Sequence, residues 1–157
     1  MLRLSLPVIA ALLPCAVPAA EVRDCVGPET HAWKIAEPWE DATRTFANGE
    51  VRIAVLDTVE PATTPFHLMI LSPPRDELGL RRCRVVSMAV NPAGAASGFA
   101  ELSLDGMASH YDPNMGLLLD LPAAVFNPVT TGFDPATLRV VVNQATGAVT
   151  AKEIAKP

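Results

Sequence analysis

No stretch of this chain repeats apolar residues at the helical period over any length, which excludes a helical bundle and a sheet wrapped by crossover helices. No apolar run reaches the roughly 20 residues that a membrane-spanning helix needs. There is no Gly-x-Ser-x-Gly elbow to present a hydrolase nucleophile. There is no Cys-x-x-Cys pair for redox or zinc chemistry, and no internal repeat. Positive charge is scarce: 12 Lys and Arg stand against 17 Asp and Glu, a net charge of −5. That balance excludes the basic footprint of a nucleic-acid-binding protein and adhesion to an anionic membrane surface.

What is present begins with an address. Met1-Leu2-Arg3 carries one positive charge, residues 4–17 are apolar, and small Ala19-Ala20 precede the charged Glu21-Val22-Arg23-Asp24. This order predicts a cleaved signal peptide over residues 1–20 and a single β domain over 21–157. Pro7, Pro14 and Pro18 interrupt the apolar run, so no stable membrane anchor is expected. Cys15 follows Pro14 where a lipoprotein signal carries a small residue, so Cys15 is expected to leave with the leader. Alanine, valine, proline and arginine dominate over lysine, a bacterial composition that makes the expected location periplasmic.

About 137 residues then remain, enough for one self-sufficient core. Two of the three cysteines remain as well, Cys25 and Cys83. An even number in an exported chain predicts a disulfide between them.

The apolar residues often alternate, and 15 prolines and 9 glycines punctuate them. The expected fold is all-β, an antiparallel sandwich or partly open barrel of about 7–9 strands. Asn48-Gly49 predicts a two-residue hairpin turn between strands at 42–46 and 51–57. A short helix starting at Pro38 is the competing reading of 38–46. Further strands are expected at 66–71, ended by Pro73-Pro74, and at 82–88, 99–105 and 117–121. Residues 91–98 read as a small-residue loop and 127–135 as an irregular connection. Residues 138–143 and 148–154 make a closing hairpin around Gln144-Ala145-Thr146-Gly147.

Four groups could carry chemistry. His67 and Met69 are two apart on one strand, so both can face one soft metal ion such as Cu(I), with His110 a possible third ligand. Ser109, His110 and Asp112 contain hydrolase residue types, but strand neighbours point to opposite faces, and Asp112 better opens the turn at Pro113. Arg81, Arg82 and Arg84 form a dense basic patch suited to an acidic partner surface or a small anion, or to guarding a sheet edge. Trp33 and Trp39 are expected to cover the open end of the core; exposed, they would offer a platform for a sugar or a peptide.

These readings predict an exported, non-catalytic binding or accessory domain. It would need no cofactor, and its partner would be a protein or a small anionic ligand met at Arg81, Arg82 and Arg84. The alternative is a periplasmic copper-binding protein using His67 and Met69.

Overall fold

The computed structural model describes residues 20–90 and 96–155. The expected leader and most of the 91–98 loop lie outside these residues.

Twelve strands follow in chain order: β1 Glu21–Asp24, β2 Thr43–Phe46, β3 Val51–Asp57, β4 Phe66–Arg75, β5 Arg81–Ser87, β6 Ala89–Val90, β7 Ala96–Ser97, β8 Glu101–Leu102, β9 Ala108–Asp112, β10 Gly116–Asn127, β11 Gly132–Val142 and β12 Val149–Ala155. The first five form one antiparallel sheet in the order β1-β5-β4-β3-β2. The second sheet runs β12-β11-β10-β8, with β9 also paired to β10. The two sheets pack face to face as an all-β sandwich. The strand number exceeds the expected 7–9 because β6, β7 and β8 are two-residue fragments where the chain changes sheets.

The core follows from alternation. Val51, Ile53 and Val55 of β3 and Leu68 and Ile70 of β4 meet Leu117, Leu119 and Leu121 of β10 and Leu138, Val140 and Val142 of β11. Phe99, fully buried, lies where the chain crosses between sheets, and its backbone pairs with Phe66. Gly98 lies beside it. A Cβ there would stand 2.2 Å from the Phe66 carbonyl oxygen, a backbone atom that cannot rotate away. Gly98→Ala is expected to cost roughly 1–3 kcal/mol, the usual range for overpacking. Urea unfolding measures this, and an unchanged midpoint would mean that the crossing is loose.

Several expectations need correction. Both readings of 38–46 are partly realised: α1, a single helical turn at Trp39–Ala42, leads directly into β2. The two-residue turn at Asn48-Gly49 is instead a four-residue loop between Phe46 and Val51, with Ala47, Asn48 and Gly49 all at positive φ. Pro73-Pro74 does not end β4, which continues to Arg75 through a register shift. The strand expected over 99–105 shrinks to β8, whose Leu102 pairs with Ala123 of β10, while Leu102 and Leu104 both join the core.

The irregular connection expected at 127–135 is the tip and return of a long hairpin, β10–β11, paired from Leu117↔Val142 to Asn127↔Gly132. Pro122 and Pro135 are tolerated because, among the described residues, no strand pairs with either on its outer side. Pro122 falls between β9, which ends opposite Asp120, and β8, which begins opposite Ala123. Pro135 lies one residue beyond the last β11–β12 pair, Ala136↔Ala155.

Candidate functional site

A half-buried sheet face normally shows water every second residue. The first sheet breaks this rule at its centre. Leu56, His67, Val85 and Ser87 belong to the face turned away from the main core, yet all four are buried. The covering element is the N-terminal segment after β1, which we call the strap.

The strap has no regular structure beyond two single 3₁₀ turns, Pro28–Thr30 and Ala32–Lys34. It is tied down at both ends. The Cys25–Cys83 disulfide fastens its start to β5. At its end, Ile35 bridges Leu56 and the Ala36 amide donates to the Val55 carbonyl at 2.9 Å. Between these, Lys34 Nζ donates to the Thr58 carbonyl at 2.8 Å.

Beneath it runs a polar chain drawn from three strands and the strap. Arg23 of β1 pairs with Glu29 of the strap at 2.8 Å and donates to Ser87 Oγ of β5 at 3.3 Å. Ser87 Oγ lies 2.9 Å from His67 Nδ1 of β4. Glu29 is only 7% exposed, so its charge depends on Arg23. Arg23 Nε is buried and has no partner among the described residues.

His67 is 1% exposed. Burial pulls its pKa down to about 4; the Glu29 carboxylate opposes this shift and the Arg23 guanidinium reinforces it. The imidazole is therefore neutral at neutral pH. Among the described residues its one hydrogen bond is through Nδ1, which leaves Nε2 without a partner.

His67 lines a cavity of about 420 Å³ between strap and sheet. Glu29, Trp33 and Lys34 come from the strap, and Thr58 and Glu60 from the chain after β3. Trp33 is 72% exposed, with Lys34 Nζ 4.3 Å from its ring centre. Trp39 is exposed too, so neither tryptophan covers the core as expected. Both sit on short helical turns outside the two sheets, where the core cannot reach them.

The other expected site residues are dispersed. Met69 shares the His67 face of β4 and is half-buried. His110 is exposed on β9, in the other sheet, and lines a separate groove with Phe46 and Tyr111. Among the described residues no three His, Cys, Asp or Glu side chains are grouped to hold a metal. Asp112 accepts from the amides of Asn114 and Met115, the turn role expected of it.

Of the basic patch, Arg81 donates to the carbonyls of Gly49 and Glu50, clasping the β2–β3 loop. Arg84 pairs with Asp24. Arg82 is exposed. The three charges are thus turned to different neighbours, and two of them serve the fold.

Arg23, Glu29, Lys34 and Ser87 carried no signal in the sequence, because nothing in their spacing shows that the strap folds back over β4. No protein-family model, curated protein or solved structure matches this chain, so the functional reading rests on the geometry alone.

Proposed function

We propose that this is an exported, non-catalytic binding protein that holds a small ligand in the strapped cleft. The observation that carries the proposal is the buried His67, with Nε2 unpartnered among the described residues, lining a cavity of about 420 Å³. That volume is within the range of small-molecule sites, roughly 300–1,000 Å³. Export is supported by the disulfide, which persists in oxidising compartments. A periplasmic location follows from the composition and from the leader-like N-terminus. Among the described residues no helix is long and apolar enough to cross a membrane.

The Ser87–His67 contact does not support hydrolysis. Ser87 is fully buried and does not line the cavity, and among the described residues no carboxylate bonds the other imidazole nitrogen, where a catalytic triad holds its orienting acid.

One observation favours a soft-metal reading. His67 and Met69 share a strand face, and a neutral imidazole is the ligating form. Copper held by these two side chains is the second reading; His110 belongs to the other sheet.

Native mass spectrometry of the protein from the exported fraction, followed by soaking with a fragment library, separates the readings. The expected result is a small organic adduct that Trp33→Ala diminishes. A copper mass that His67→Ala and Met69→Leu remove would favour the metal. A chain that stays bare through both steps would end the cleft proposal.

A further inference from the structure

We infer that the ligand of the strapped cleft is a neutral saccharide; this rests on the cleft being the binding site. The first argument is charge. Arg23 and Lys34 stand against Glu29 and Glu60 around a neutral His67, so the site has no net charge to offer an ion. A carboxylate ligand would meet two glutamates. A cationic ligand would meet the like charge of the Lys34 ammonium, which lies 4.3 Å from the Trp33 ring centre.

The second argument is hydrogen bonding. Arg23 can only donate, so Ser87 Oγ accepts from it, and among the described residues the buried hydroxyl proton has no acceptor other than His67 Nδ1. This assigns the imidazole proton to Nε2, which becomes a donor. Lys34 gives one N–H to the Thr58 carbonyl and keeps two more. Acceptors stand nearby in the second oxygen of Glu29 and the carboxylate of Glu60. A cavity that both donates and accepts, without net charge, suits hydroxyl groups, which do both.

The third argument is shape. Pro28 and Pro61 make apolar walls, and Trp33 projects at the rim with most of its ring bare. Such a platform receives the C–H face of a sugar ring while the ring's hydroxyls turn to His67 and Lys34.

A glycan array carrying neutral and acidic oligosaccharides tests the inference. In parallel, benzoate and benzylamine are titrated while the His67 Nε2–H resonance is followed by NMR. The expected result is binding of a neutral glycan that shifts the His67 signal. Trp33→Ala should weaken it roughly three- to tenfold, and the exposed Trp39→Ala should not weaken it. Benzoate or benzylamine moving His67 while no neutral glycan binds would overturn the saccharide and leave the cleft standing. If none of the probes moves His67, both the saccharide and the cleft fall.

Discussion

Replacing Cys25 and Cys83 together by serine will cost the folded protein about 4 kcal/mol, the chain-entropy value for a loop of this length. The two cysteines are 58 residues apart, so the bond removes a large closed loop from the unfolded ensemble. It also holds the start of the strap against β5, and four lining residues of the cleft lie within ten residues of Cys25. Urea unfolding of the wild type and the double variant measures the loss, and the melting temperature should fall by on the order of 10 °C. Ligand binding should weaken in parallel, because the strap must then be ordered at the moment of binding. A variant as stable as the wild type would mean that the strap is held by its other ties alone.

Acid will destabilise the protein through His67. The folded pKa is about 4 and the ordinary value is 6.5. Between these values the unfolded chain binds a proton that the folded chain refuses, so stability rises with pH across that window. The contribution is complete above pH 6.5 and is lost as pH falls to about 4. The shift of about 2.5 units corresponds to about 3 kcal/mol. Protonation would place a cation beside Arg23 beneath the strap, so cleft affinity should decline over the same range. Asp120 and Glu50, held below their ordinary values by hydrogen bonds from Arg139 and Arg75, add acid sensitivity at lower pH. The check is urea unfolding at intervals from pH 4 to 7 for the wild type and His67→Gln. The slope across the window should flatten in the variant. An equal slope in both proteins would assign the acid sensitivity to other groups.

The contrast between His67 and His110 shows how far the sequence was legible. Both sit in alternating segments and read alike as candidate ligands. His110 faces solvent on a strand whose outer face is uncovered, and His67 is sealed beneath a segment that leaves its own strand ladder 42 residues earlier in the chain, after Asp24 of β1. No local pattern carries that information. The tryptophans make the same point: rarity marked them as worth placing, but their exposure was set by turns that lie outside both sheets. The prolines misled in the opposite direction. Pro73-Pro74 read as the end of a strand, and β4 carries them through a register shift to Arg75.

Alternation, turn residues and the scarcity of long helical patterns determined by themselves that this is an all-β domain, because side chains on a strand must alternate between core and solvent; that its sheets pack as a sandwich rather than a partly open barrel came from the tertiary structure. The even pair of cysteines determined the disulfide. Only the tertiary structure decided that the first sheet buries its outer face as well. The strap's position is a long-range contact, and it gathers Arg23, Glu29, His67 and Ser87 into one chain of hydrogen bonds that no spacing along the sequence records.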